Sequence, residues 1–392
     1  MQKPVYLDNN ATTPLDPRAF EAMRPFFLEH FGNAMSSQHS FGWTARAAVE
    51  TARAQCAKLI GAESREIIFT SGATESIHLA ILGWLEAAGP EPRHVITTAV
   101  EHKCVLEVAA RAQRNGHSVT ILPVDRHGRV ELDELERAMR PETALVSVIH
   151  GNNEIGSLNP IAKIGALCAS RGVLLHVDAA QSVGKVPIDV RAMNVDLLSA
   201  SAHKIYGPKG AGFLFARHTS PRVRLAAYVV GGGQEKGLRG GTHNVPAIVG
   251  FGSACELAAL EMTEEGPRLT GLRDRLVREI LASAASLGIR GELNGHPTER
   301  LPNSVSLTFN GLLADEFLLA TSSRLAYSSG SACSSADGGA SHVLAAIGRK
   351  DDVRAVTVRL GLGRFTTPDD VEQALLTLRL AFERARIVSS GP

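Results

Sequence analysis

The sequence lacks a charge excess of either sign: 41 Lys and Arg stand against 40 Asp and Glu, a formal net charge of +1 over 392 residues. No global field therefore draws the chain toward nucleic acid or an anionic membrane, and direct nucleic-acid binding is not expected. No apolar run reaches the length that spans a bilayer, and the opening MQKPVYLDNN lacks the basic-then-apolar pattern of a secretory signal. The expectation is a cytoplasmic protein with no membrane partner. Cysteine is scarce. Cys56, Cys104, Cys168, Cys255 and Cys333 are odd in number and contain no C-x-x-C pair, which argues against a disulfide framework and a zinc site, and no metal is expected. Internal repeats and low-complexity segments are absent as well.

What is present is a core. A hydrophobic content of 44% over this length leaves room for two packed units. Apolar runs of strand length (REIIFT, HVITTAV, HSVTILPV, TALVSVIH, GVLLHVDAA, VDLLSASAH and GAGFLFAR) are separated in several places by amphipathic stretches such as FGWTARAAVETARAQCAKLIG and LDELERAMR. Alternation of this kind predicts an α/β architecture with a mostly parallel sheet and helices on both faces. Polar residues cluster just after the strands, where an open sheet of this type keeps its ligands. EMTEEGPRL, after about residue 260, reads as a boundary beyond which shorter elements form a smaller second domain.

Three of the cysteines fit helical apolar patterns and are read as packing: Cys56 in the series Val49, Ala52, Cys56, Leu59, Ile60, Cys168 in IGALCAS and Cys255 in GSACELAAL. Cys333 does not. It sits in YSSGSACSS, where no local apolar neighbour can bury it, so its thiol is placed for access and reactivity rather than for packing.

Three further features point to one ligand. In IIFTSGATES a strand gives way to a helix through small residues, which lets backbone N–H groups and the helix dipole meet a phosphate, although such turns are also common as plain caps. Asp178 ends one very apolar strand in LLHVDAAQSVG, and Lys204 ends another in LLSASAHKIYGPKG. A buried carboxylate needs a cation, and a buried lysine tends to lose its charge or form an imine. Pyridoxal 5'-phosphate satisfies all three positions, with lysine as the Schiff-base partner, aspartate at the pyridinium nitrogen and the helix start at the phosphate. A structural Lys–Asp ion pair at the sheet edge is the plainer alternative.

At this point the chain resembles the group I cysteine desulfurases, the NifS- and IscS-like enzymes in the class V aminotransferase group of fold-type I pyridoxal phosphate enzymes. YLDNNATTPLDP, FTSGATES, EHKCV, NNEIG, HVDAAQSVGK, SAHKIYGPKGAG, GGGQEKGLRGGT, SSGSACSS and VRLGLGRFTT carry the likeness in family order to roughly residue 370. The resemblance implies a large cofactor-binding domain over 16–260, with a mostly parallel seven-stranded sheet between helices. A smaller α+β domain of 1–15 and 261–392 would carry the cysteine loop at about 327–340.

It also implies roles. Lys204 would bind the cofactor covalently, Asp178 its pyridine nitrogen and Gln181 its phenolic oxygen. His102 would stack on the ring and assist proton transfer. Ala73, Thr74, Ser201 and His203 would surround the phosphate, and Thr242 would reach the phosphate of a neighbouring subunit, which makes the enzyme a homodimer. Asn153, also set beside the cofactor, and Arg359 would hold the substrate carboxylate. Cys333 would attack the sulfur of L-cysteine, releasing L-alanine and carrying a persulfide to an acceptor protein such as an iron–sulfur scaffold or a thiolating enzyme. A selenocysteine lyase, a class V aminotransferase and a noncatalytic scaffold that keeps the fold are the alternatives. The chain departs from the family pattern at Ile77 and His78, at Ala34, in the glycines after the cysteine motif, and at Cys104, which is read as packing.

Overall fold

The structure, a computed structural model, describes residues 3–219, 222–329, 341–349 and 355–386. The described chain begins with a short strand, β1 (Val5–Tyr6). The next seven strands are β2 (Ile67–Thr70), β3 (His94–Thr98), β4 (Ser118–Leu122), β5 (Thr143–Ile149), β6 (Leu174–Asp178), β7 (Leu197–Ser201) and β8 (Gly212–Ala216). They form one sheet in the order β2-β8-β7-β6-β5-β3-β4, with β8 alone running against its neighbours. Each falls within one of the seven apolar runs read from the sequence. Both faces are covered, so inner strands are buried nearly throughout rather than on alternate residues. In β8, Phe213 and Phe215 enter one core with Cys56 and Phe251, while Leu214 between them enters the opposite core with Ile68 and Ile77. Each such side chain contributes about 1.5–3 kcal/mol by leaving water.

The boundary expected after about residue 260 falls inside a helix rather than at a break in secondary structure. Val245–Ser286 is one helix of 42 residues that continues through Pro267. Its first part buries Val245, Phe251 and Cys255 in the core of the large sheet, and its last part buries Leu269, Leu276 and Ile280 in a second core. Packing on both sides of the proline outweighs the hydrogen bond that proline removes. The expectation about apolar runs also needs correction: this helix contains an 18-residue window of mean hydropathy 1.4, long and apolar enough to cross a membrane by composition. Half of that window is buried, against the helices Ser40–Leu59 and Pro17–Met23 among others, and this packing accounts for its apolar character.

The second core lies under β9 (Arg290–Leu293), β10 (Ser304–Asn310), β12 (Ser328–Ser329) and β13 (Ala355–Gly361), an antiparallel sheet in the order β12-β13-β10-β9. β1 pairs in parallel with β11 (Leu325–Ala326), so the N-terminal arm packs with this part of the chain. The arm then crosses to the large sheet, where Thr13 N donates to His203 O at 2.9 Å. This crossing brings residues 8–13 beside Lys204.

A buried ion pair fastens the segment before Thr242. Glu235 accepts from Arg53 Nη1 (2.7 Å) and Nη2 (2.8 Å), from Phe69 N (2.9 Å) and from His243 Nε2 (2.7 Å). Burial opposes the charge, but these bonds hold the Glu235 carboxyl down at about 2. Breaking such a pair from one side strands the other charge. Glu235→Leu is therefore expected to lower stability by about 3–5 kcal/mol, read from denaturant unfolding. A loss below about 1 kcal/mol would show that the pair is incidental.

Candidate active site

A cavity of about 570 Å³ opens at the C-terminal ends of β6 and β7 and at the start of the helix Ala73–His78 that follows β2. Asp178 is the last residue of β6, paired in register with Ser199 of β7, and is almost fully buried. Its Oδ1 accepts from Ala180 N at 3.0 Å. Burial pushes its pKa up, opposed by that bond and by the charges of His102 and Lys204. No cation lies within ion-pair distance of it among the described residues, so the carboxylate is left short of a positive partner.

Lys204 follows β7 on the one-turn helix Ala202–Lys204. Its Nζ donates to Asn10 O (2.5 Å) and Ala11 O (2.8 Å). Burial, reinforced by the Arg359 charge, lowers its pKa to about 8, against the pull of Asp178 and Asp8. An amine with that pKa is partly neutral near pH 7 and able to act as a nucleophile. A free amine has two N–H bonds and one lone pair. With both N–H bonds held by the Asn10 and Ala11 carbonyls, the lone pair is directed away from them.

Opposite, Ser71, Gly72, Ala73 and Thr74 line the cavity, joined by Ser201 and His203. The N–H groups of Ala73 and Thr74 open the helix and have no intrahelical acceptor. Close approach here depends on Gly212, where a Cβ would lie 2.5 Å from Gly72 Cα. His203 Nδ1 meets Thr12 Oγ1 at 3.1 Å, and burial with three nearby lysines lowers the imidazole to about 4, leaving a neutral ring.

The remaining expected residues divide. Gln181 reaches the cavity with its amide set from two sides: Nε2 donates to Asn10 O at 2.7 Å and Oε1 accepts from Lys185 Nζ at 3.1 Å. His102 and Asn153 line the same cavity. Arg359, in β13, donates through Nη1 to Asn153 O (3.3 Å) and through Nη2 to Ser328 Oγ (2.6 Å) and Asp8 (3.3 Å). Two buried atoms here lack hydrogen-bond partners, Arg359 Nε and Asn153 Oδ1. Thr242 is exposed and is not among the cavity's lining residues. Cys333 lies outside the described residues. Its flanks reach the site, however: Ser328 pairs with Arg359 on β13, and His342 Nε2 donates to Glu101 O beside His102.

Sequence reasoning gave no individual role to Asn10, Ala11 or Lys185. The first two act through main-chain carbonyls, which leave no mark on residue type, and their only signal was membership of YLDNNATTPLDP. Glu101 was missed too. It is fully buried, its carboxyl pushed up to about 8 by burial with Asp178 adding to it, and its Oε2 has no partner. Cys104, read as packing, does pack against the core of Ile68, Ile77 and Val105, and it also places Sγ 3.0 Å from His102 Nδ1. A larger cavity, about 860 Å³, is lined by Arg46, Arg53, Glu66 and Glu235, among others. Its carboxylates Glu66 and Glu235 are already satisfied by arginines, so the chemistry belongs to the smaller cavity.

As a donor set, the smaller cavity fits a ligand that brings a cation to Asp178, a carbonyl carbon to Lys204 and an anion to the turn 71–74. The aminotransferase class-V family matches residues 5–374. A human protein named cysteine desulfurase is 48% identical over 370 residues, covering 94% of this chain and 80% of the relative. A chain solved as a NifS-like protein superposes with a TM-score of 0.87 at 35% identity, covering 97% of this chain and 99% of the other. A structure described as SspA in complex with cysteine gives 0.76 at 35% identity, covering 91% and 98%.

Proposed function

The chain belongs to the aminotransferase class-V family, among its cysteine desulfurases, and from that membership and the geometry of the cavity we infer how its residues divide the work. The enzyme takes sulfur from L-cysteine, leaves L-alanine, and supplies the sulfur for iron–sulfur cluster assembly or for thiolation of other acceptors. The family depends on pyridoxal 5'-phosphate, which supplies an electron sink for bond changes at the α- and β-carbons of the substrate.

In the proposed arrangement Asp178 would hold the cofactor's pyridinium, which would give its buried carboxylate the cation it lacks. The turn 71–74 with Ser201 and His203 would hold the phosphate. The second N–H of the Gln181 amide, whose orientation is set by Lys185 and Asn10, would be left to donate to the phenolic oxygen. Arg359, whose buried Nε lacks a partner, would take the substrate carboxylate, and Asn153 would assist through its Nδ2 donor. Lys204, once free, is held by the Asn10 and Ala11 carbonyls with its lone pair available for the α-proton. The Cys333 thiolate then forms an S–S bond to the substrate sulfur as the Cβ–S bond breaks. That bond pair passes to carbon, which takes up a proton, and the sulfur stays on Cys333 as a persulfide.

The observation that carries this reading is that Lys204 and Asp178 meet in one cavity, the amine partly neutral and the carboxylate short of a cation. Measuring alanine and enzyme-bound sulfur after adding L-cysteine tests it. Steady amino transfer to a keto acid with no sulfur release would point to an aminotransferase instead.

Two further outcomes are expected. Arg359→Ala removes a charged hydrogen-bond donor worth about 1.5–3 kcal/mol, so KM for L-cysteine should rise about 10- to 150-fold in steady-state assays. An unchanged KM would place the carboxylate elsewhere. The second concerns assembly. If exposed Thr242 completes the partner's phosphate site in a homodimer, mixed dimers of a Lys204→Ala chain with a Thr242→Ala chain should regain one intact site. No recovery of activity in such heterodimers would mean that Thr242 does not act across the interface.

A further inference from the structure

His102 begins the helix Lys103–Arg114 as its cap, and its Nδ1 accepts from Cys104 N at 3.2 Å. A nitrogen that accepts a backbone N–H carries a lone pair, so in the neutral ring the proton sits on Nε2. The Cys104 sulfur lies 3.0 Å from that same Nδ1. Since Nδ1 has no proton to give, the only hydrogen bond this contact allows to the neutral ring runs from S–H to Nδ1. We propose that Cys104 is a positioning residue: its thiol, together with its own backbone N–H, locks His102 in the Nε2–H form and keeps Nδ1 from taking a proton. The inference rests on the cysteine desulfurase reading only for its consequence, which is that His102 serves the cavity as a proton donor at Nε2 and leaves the base role to Lys204.

The surroundings agree with a donor thiol. Burial, with the Asp178 charge adding to it and a hydrogen bond with the Thr74 hydroxyl opposing it, pushes Cys104 up to about 12, so the sulfur keeps its proton throughout the working range and is no rival to Cys333 as a nucleophile. The imidazole itself is shifted down by burial. Asp178 and Glu154 pull it upward, Lys204 and His342 push it down, and Lys103 follows it on its own helix. These charges set the background against which the thiol acts.

The test reads His102 directly, in enzyme carrying labelled histidine, with His102→Gln to assign the signals. Nitrogen shifts and their long-range proton couplings distinguish the two tautomers, with the cofactor bound and with it removed. Wild-type enzyme should show Nε2–H. Cys104→Val keeps the apolar volume and removes the donor, and the imidazole pKa should rise by about half a unit, the value of one ordinary hydrogen bond. Cys104→Ser restores a donor and should restore the wild-type value. A predominantly Nδ1–H ring in the wild type, or a Val variant that titrates like the wild type, would overturn the proposal. None of these readouts depends on sulfur release, so a failed desulfurase assay would leave them standing and would count against the functional reading alone.

Discussion

Replacing Lys204 with alanine is expected to remove the visible absorbance of lysine-bound cofactor and to cut L-cysteine turnover by about 10³-fold or more, the combined loss of the covalent anchor and the base. Lys209→Ala is the control. That residue also lines the cavity but is exposed, and its substitution should leave the spectrum intact. The pH dependence carries a second sign. Because burial holds the Lys204 amine near 8, uptake of pyridoxal phosphate by cofactor-free enzyme should quicken as pH rises from 6 to 9 with a midpoint near 8. An ordinary lysine would place that midpoint above 10. Absorbance that survives in Lys204→Ala would show the cofactor lysine to be misassigned, and a midpoint near 10 would show the amine to be solvated.

Cys333→Ser should separate the two halves of the reaction. The carbon chemistry depends on Lys204 and Asp178, so the variant should bind the cofactor and bring about spectral change with L-cysteine. A hydroxyl attacks sulfur far less readily than a thiolate, so neither persulfide nor alanine should accumulate catalytically. A selenium substrate separates leaving-group effects: turnover of selenocysteine by this variant would show that the thiol is needed for the sulfur step alone. Full desulfurase activity in Cys333→Ser would end the assignment. Cys104 would be a poor substitute, because its half-buried thiol is held on His102 Nδ1 and its pKa is pushed up to about 12.

The sequence exposed most of this site for a physical reason. Strands buried on both faces read as unbroken apolar runs, and a lone Asp or Lys where such a run ends stands out against them. β6 ending in Asp178 and β7 leading to Lys204 are cases of this. The long helix Val245–Ser286 was not legible, since Pro267 and the charges around it look like a break, and only burial in two different cores keeps them helical. The Asn10 and Ala11 carbonyls were illegible for another reason: any residue has a carbonyl, and only the crossing of the N-terminal arm aims these two at Lys204. The contact between Cys104 and His102 depends on a cap geometry that residue spacing alone does not give.

The most direct test of the central claim is to mix the wild-type enzyme with L-cysteine labelled on sulfur, quench it without reductant, and locate the label by peptide mass analysis while counting alanine. The account predicts one labelled sulfur on the peptide containing Cys333 for each alanine formed in the first turnover. Label on the Cys104 peptide, or alanine formed with no sulfur held by Cys333, would contradict it.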